Sequence, residues 1–580
     1  MTNFKDHRAL QDRPEAGSAT SDAALTETDV IVVGTGAAGH AAAIAAARGG
    51  ASVVMLEAAE KIGGTSYRSS GGYWIPNNRS QRERGTSMDR DATLKHMASL
   101  SFPDAFDPDA ERLGLPEHEY GLIATYYDNA TRIIDELDDA GILGSTQMDY
   151  PNREDGMPPY YETAYDATAG TVLGARVDEF SAEQASNPSA DTMRKLGGRQ
   201  GDGADMIGQL SASARRLGVE VRVGHRVDDL LTGDDGEIVG VTAATADGMV
   251  TITARKGVVF ATGGFSHNPE LAARYLRGPI VGSCSVPTAQ GDFIGLALDV
   301  GAEIGNVGEA WWTELPVELV KTIGDAPELI SFINGASSML VNAEGRRVVN
   351  EKMMYNERGK VHFVRDADGG FPNRLLFLVY DDAVAQDPVA WPARWPIPPA
   401  GVEVDYVIAG QTLEELEANI ARRLTELVDD VGAFALKPGF AAGLAASIER
   451  FNGFAEAGVD EDFGRGNMSN QHYDPPPRPG LPNGSLAPFR DAGPYYAMIL
   501  GAATLDTKCG PKIDTEGRVL RAGGEPIPGL YGAGNCIASP AGAAYWGGGS
   551  TLGPALVYGT LAGDAVAREP AREIAGDAVA

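Results

Sequence analysis

Gly34-Thr35-Gly36-Ala37-Ala38-Gly39 is a GxGxxG that follows the apolar run Val30 to Val33 and opens an alanine-rich segment reaching Arg48. Its glycines have separate tasks. The first permits a sharp turn, the second lets backbone approach a pyrophosphate, and the third lets a helix pack closely on a strand. The helix N-terminus at Ala37 and Ala38 then turns free N–H groups toward the phosphates. Glu57 closes the next apolar run, about 20 residues on, where a carboxylate takes ribose hydroxyls. A dinucleotide site is therefore predicted, and two features favour FAD over NAD. Gly63-Gly64-Thr65-Ser66 offers small residues and hydroxyls directly after the ribose acid. Gly529-Leu530-Tyr531-Gly532-Ala533-Gly534-Asn535 offers a second close backbone approach near the other end of the chain, as a long cofactor requires.

The elements that must position these residues are legible in outline. Strands are expected at 30–33, 52–56, 219–223, 239–243, 258–261 and 529–534, with helices at 37–48, 93–100, 120–140, 294–300, 413–428 and 551–567. Ser338–Asn350 reads as a hairpin around Ala343-Glu344-Gly345-Arg346, and Asp474 to Pro479 as a stiff linker. The expected fold is α/β with an α+β cap: a Rossmann-like FAD-binding domain built from both chain ends (29–307 and 489–572), with a catalytic and substrate-capping domain (308–488) inserted. Residues 1–28 are polar, lack an apolar core and read as a disordered leader.

Composition narrows the function classes. The 580 residues include 73 glycines, about one in eight against roughly 7% in an average chain. The net charge of −32 repels phosphate backbones and excludes nucleic acid as an expected partner. Cys284, Cys509 and Cys536 are scattered without CxxC spacing, which fits a cytoplasmic protein and excludes structural zinc; no metal is expected. The uncharged stretch from Pro526 to Gly563 is broken by ten glycines, so no integral membrane segment is expected.

Glu57 with Gly63 to Ser66, Ser70-Gly71-Gly72-Tyr73-Trp74-Ile75-Pro76, Ala261-Thr262-Gly263-Gly264-Phe265, Gly345-Arg346-Arg347 with Asn350-Glu351, and Gly529 to Asn535 together resemble the fumarate reductase/succinate dehydrogenase flavoprotein superfamily. The motifs span nearly the whole chain. The resemblance implies further cofactor contacts from Ser70, Gly71, Gly72, Val227, Ala261, Thr262, Gly263, Asp292, Gly534, Asn535, Gly549, Thr551 and Leu552. Covalent members carry a histidine after the glycine loop, and none occurs here between His40 and His96, which implies noncovalent FAD.

Trp74-Ile75-Pro76-Asn77-Asn78, Glu309-Ala310-Trp311-Trp312, Asn350-Glu351 with Tyr355, and Tyr545 through Pro554 are closer to one branch, the 3-ketosteroid dehydrogenases. That resemblance implies Tyr355 as proton-abstracting base, five residues after Asn350. It implies Tyr545 as ketone-binding hydroxyl and Gly549, four residues later, as backbone donor. Tyr160 and Tyr161 stand where the branch has an auxiliary tyrosine. The chemistry is coherent: an O–H and an N–H aimed at a carbonyl oxygen stabilise the developing enolate, a second tyrosine takes the α-proton, and hydride leaves the β-carbon for the flavin. The expected substrate is an apolar ring ketone, a 3-ketosteroid first and a smaller ketone of the cyclohexanone type second, with a quinone, dye or O2 as electron acceptor. A fumarate-type reductase is the competing expectation. It needs an arginine where Tyr355 stands, and Arg358 is the nearest. Trp546 and Cys509 replace the branch's usual proline and glycine, and the Trp546 indole is expected to shorten the pocket. Trp311 and Trp312 are equally readable as core, Glu309, Arg346 and Arg347 as structural ion pairs, and His40 as a packed imidazole.

Overall fold

The computed structural model describes residues 26–87, 89–148, 172–176, 201–323, 333, 335–387, 396–468, 471 and 480–573. Residues 1–25, Tyr160, Tyr161 and the linker at 474–479 lie outside the described residues, while Thr26, Glu27 and Thr28, expected in the leader, instead pair in a strand with Ile252, Thr253 and Ala254.

Thr26–Val33 is the inner strand of the first sheet, which runs Arg518–Leu520, Pro526–Gly532, Gly248–Phe260, Thr26–Val33, Val53–Leu56, Glu220–Arg222. Val30, Ile31 and Val32 have no exposed surface, as expected of a strand covered on both faces. Its two neighbours are parallel to it, with Val33 opposite Leu56 on one side and Phe260 on the other. Pro526–Gly532 is also parallel, with Gly532 opposite Phe260, so a segment from the far end of the chain completes the opening unit. Behind it, the helix Leu552–Arg568 crosses Ala37–Arg48 at close range. A Cβ on Gly559 would stand 2.4 Å from the Ala38 carbonyl oxygen, and one on Gly563 2.2 Å from that of Ala42. Part of the glycine excess is therefore helix contact rather than cofactor contact.

The second sheet is organised by Tyr495–Thr507, which pairs antiparallel with Ala310–Pro316, Leu375–Asp381 and Ile408–Gly410. Leu375–Asp381 is wholly buried and pairs in turn with Ser338–Val341. The helix Leu413–Glu426 covers this sheet with Leu416, Ile420 and Leu424, the apolar stripe its sequence predicts. Thr412 caps it by accepting from Glu415 N–H at 3.2 Å.

The expected hairpin over 338–350 forms only in part. Ser338–Val341 is a strand, but the return arm contributes a single bridge, Val341 to Arg347. Arg347 instead binds Glu351 and Asp460, each at 2.8 Å, and Arg465 reaches Glu351 at 3.0 Å. All four side chains are nearly inaccessible, and pairing buried charges takes precedence over extending a ladder. Arg346, by contrast, is exposed and meets Glu344 at 3.2 Å. Among the described residues no helix is long and apolar enough to cross a membrane.

Candidate functional site

The glycine motif folds as its spacing requires. Gly34 has φ +102°, and a Cβ there would meet the Ala261 carbonyl oxygen at 2.3 Å; one on Gly39 would meet that of Gly34 at 2.0 Å. Gly36 is the open one, with Ser66 Oγ at 3.4 Å and the Gly63 carbonyl oxygen at 3.9 Å. Ser66 Oγ accepts the Ala37 N–H at 3.1 Å, which joins the helix N-terminus to the second glycine loop. Glu57 ends its strand buried. Its carboxylate accepts from Thr35 N–H at 3.2 Å and Ala59 N–H at 3.0 Å, and from the Thr35 hydroxyl. Thr35 Oγ1 accepts from Gly63 N–H at 2.9 Å, and Thr65 Oγ1 from Val286 N–H at 3.1 Å.

The other expected cofactor residues divide into groups. Ala261, Thr262 and Gly263 continue the strand that ends at Phe260, beside the Gly34 turn. Gly534, Asn535 and Thr551 line one cleft with Trp311 and Pro554, and Leu552 opens the helix beside it. Gly71 and Gly72 precede the short strand Tyr73–Trp74; Gly64 opens a short helix, and Ser70 is exposed. Val227 is buried in its strand, and Asp292 is held by the neighbouring Arg226 at 2.6 Å. His40 is packed, its Nδ1 3.2 Å from the Gly36 carbonyl; burial pulls it down to about 4, so it is neutral at pH 7.

Three elements bring the expected ketone-site residues together. Tyr355 opens the helix Tyr355–Gly359, Tyr545 and Gly549 belong to the glycine-rich segment before the last helix, and Trp311 lies on the strand Ala310–Pro316. The Tyr355 and Tyr545 rings meet edge-on with centroids 5.3 Å apart, and Trp311 meets Tyr545 edge-on at 5.6 Å. Gly549 N–H points at the Tyr545 hydroxyl oxygen, 3.4 Å away. Burial pushes the Tyr545 phenol up, while hydrogen bonding with Tyr355 and from Gly549 N–H favours its ionised form. Gly549 has φ +88°, and its carbonyl accepts from Trp74 N–H at 3.1 Å. The turn is thereby fixed with its N–H facing the tyrosine.

Trp546 corrects one expectation. Its ring contacts are Trp74 at 5.7 Å and Tyr126 at 5.2 Å, and its Nε1–H donates to Ser101 Oγ at 2.8 Å. Its indole lies in this aromatic cluster, while Tyr545 faces Trp311 and Tyr355. Cys509 is likewise core, packed with Phe265, Ile294 and Trp312. Arg358 is engaged in a buried pair with Glu314 at 2.7 Å and on the carbonyls of Glu351 and Met353.

Residues 29–552 match the FAD binding domain family. The chain belongs to that family. It is 32% identical to 4-oxocyclohexanecarboxylate 2-dehydrogenase of Sinomonas cyclohexanicum, over 94% of this chain and 93% of the relative. It is 30% identical to 3-oxosteroid 1-dehydrogenase of Mycobacterium tuberculosis, over 93% and 98%. Among solved structures it is similar to 3-ketosteroid delta1-dehydrogenase of Sterolibacterium denitrificans in complex with 1,4-androstadiene-3,17-dione, with TM-score 0.73, 25% identity, and coverage of 93% and 99%.

The residues present fit the family's cofactor. Gly36 leaves backbone approachable, Glu57 offers a buried acceptor beside it, and the Asn535 cleft lies across the same strand ends. Sequence reasoning missed the residues that orient these groups. Asp506 accepts from Gly264 N–H at 2.9 Å and from Asn535 Nδ2 at 3.1 Å, and Asn535 Oδ1 in turn accepts from Trp311 Nε1 at 3.0 Å. Asn356 accepts from Trp312 N–H at 3.1 Å and donates to the Ala543 carbonyl at 3.3 Å, tying the tyrosine helix to both neighbouring segments. Asn356 does adjoin Tyr355 in sequence, but nothing in its spacing points to Trp312 or Ala543.

Proposed function

We propose that this protein is an FAD-dependent dehydrogenase that introduces a C=C bond α,β to a ring ketone. The observation carrying this reading is the convergence of Tyr355, Tyr545 and the Gly549 N–H at one point. The Tyr545 O–H and Gly549 N–H polarise the ketone oxygen and stabilise the enolate as it forms. Tyr355 takes the α-proton. Bound FAD supplies the acceptor for the hydride lost from the β-carbon. The apolar walls provided by Trp311 and the tyrosines exclude water from the enolate.

A 3-ketosteroid remains the first substrate class. A smaller cyclic ketone is the second, favoured by the similarity to a dehydrogenase of 4-oxocyclohexanecarboxylate. The fumarate-type alternative is disfavoured by the engagement of Arg358 with Glu314, and relatives of that type are more distant. The flavin is held noncovalently, since no histidine lies between His40 and His96. The unit expected to hold it, 29–307 and 489–572, shares the strand Tyr495–Thr507 with the capping segment 308–488, whose strands pair with it.

Anaerobic mixing with a panel from cyclohexanone through 4-oxocyclohexanecarboxylate to 3-ketosteroids tests the reading. Bleaching of the flavin by one class identifies the substrate. Failure of every ring ketone to bleach it, with reoxidation of reduced flavin by fumarate, would replace the desaturase reading with the reductase.

A further inference from the structure

Lys508 directly follows the strand Tyr495–Thr507, and its side chain is wholly buried. Its ammonium group donates to the Ala544 carbonyl at 2.7 Å and stands 4.2 Å from the Trp311 ring centroid. Lys360 donates to the preceding carbonyl, Ala543, at 3.1 Å. Two cations thus grip consecutive carbonyls immediately before Tyr545. The charged groups that act most on Lys508 are Glu309, Lys360, Glu357 and Arg277. Glu309 is paired with Arg277, and Glu357 with Lys360 at 2.7 Å. Lys508 is therefore the surplus positive charge of this cluster.

We propose that Lys508 is the cation that lets the Tyr355–Tyr545 pair carry a negative charge, acting through Trp311 and the Ala544 carbonyl as an electrostatic positioning residue of the ketone site. The inference rests on the desaturase reading. A tyrosine base needs positive potential nearby, and among Tyr355, Tyr545, Trp311 and the Gly549 turn none carries a positive charge. The Trp311 face receives the ammonium group at 4.2 Å and its ring meets Tyr545 at 5.6 Å, so the field reaches the tyrosine across a buried aromatic ring with little screening. An apolar side chain of similar length would fill the same space without the cost of burying a charge. Burial also pulls Lys508 down to about 7, which makes the charge responsive near neutral pH.

The test uses the flavin-bound enzyme and reads the apparent pKa of the tyrosine pair. One measurement is the near-ultraviolet tyrosinate absorbance that disappears in Tyr355→Phe. The other is the pH dependence of kcat/KM for anaerobic flavin reduction by a ring ketone. Lys508→Met should move both upward by about one pH unit and lower kcat/KM at pH 7 about tenfold. Lys508→Arg should keep the titration of the tyrosine pair at its wild-type position while removing the lysine's own step near pH 7. Lys360→Met should shift the pair in the same direction by less, and it serves if Lys508→Met fails to fold. Unmoved titrations in the Met variants, or equal losses in Met and Arg variants with an unchanged profile, would assign Lys508 to packing alone. Should no ring ketone react with the wild type, the desaturase reading fails, while the tyrosinate titration still decides the role of Lys508.

Discussion

The Tyr355 ring stands edge-on to Tyr545, its plane inclined at 70°, although 190 residues of chain separate the two. One tyrosine begins a five-residue helix and the other lies in a glycine-rich segment, and both Asn356 and Lys360 tie the first element to the Ala543 carbonyl of the second. The arrangement separates two tasks that a single phenol cannot perform together. In the proposed reaction one hydroxyl would donate to the ketone oxygen while the other would accept a proton from the adjacent carbon.

Tyr355→Phe should lower flavin reduction by the ring ketone at least about 10³-fold, within the upper range for loss of a general base. The yellow colour and ligand binding should persist. Single-turnover kinetics with ligand titration checks this, and near-full activity would remove Tyr355 from the mechanism.

Gly549→Ala should be damaging for two reasons. The φ of +88° is strained for alanine, and the new Cβ would stand 2.5 Å from Tyr73 Cα. A loss of about 2 kcal/mol in stability is expected, together with about 10²-fold in turnover as the N–H swings off the carbonyl. Denaturant melts and steady-state rates measure the two effects separately.

Gly39→Ala should release FAD. Its Cβ would fall 2.0 Å from the Gly34 carbonyl oxygen, so helix and turn must separate. Gly36→Ala meets nothing nearer than Ser66 Oγ, at 3.4 Å, and should fold normally with weaker flavin retention. Absorbance after desalting, compared with circular dichroism, distinguishes the outcomes.

Acid should destabilise the protein through its buried histidines. Burial pulls His96 from 6.5 down to about 4, and its Nε2 lies 3.0 Å from the Trp546 carbonyl. Below pH 6.5 the unfolded chain takes up a proton that the folded protein refuses until about pH 4, so stability falls as pH drops through that window. His96 alone should account for about 2 kcal/mol between pH 7 and 5. His96→Gln should flatten the dependence of urea midpoints on pH by that amount, and an unchanged slope would exclude His96 as the source.

The sequence determined the local geometry of the Gly34–Gly39 turn. A GxGxxG between strand and helix, with Glu57 beyond, is local information, because each glycine answers a steric demand within its own turn and the next strand. The sequence also named Tyr355, Tyr545 and Gly549, through resemblance. Only the tertiary structure decided what surrounds them. Trp546 neighbours Tyr545 in the chain, yet its indole turns away into the Trp74–Tyr126 cluster, where Ser101 Oγ accepts its Nε1–H. Lys508, Asp506 and Asn356 carry no local signature. Their partners are Ala544, Gly264 and Trp312, tens to hundreds of residues distant. The charge that faces Trp311 was equally out of reach, since a lysine in sequence looks the same whether it meets water or an aromatic face. Burial and long-range hydrogen bonding, which give these residues their chemistry, arise only when the two sheets are brought together by the strand Tyr495–Thr507.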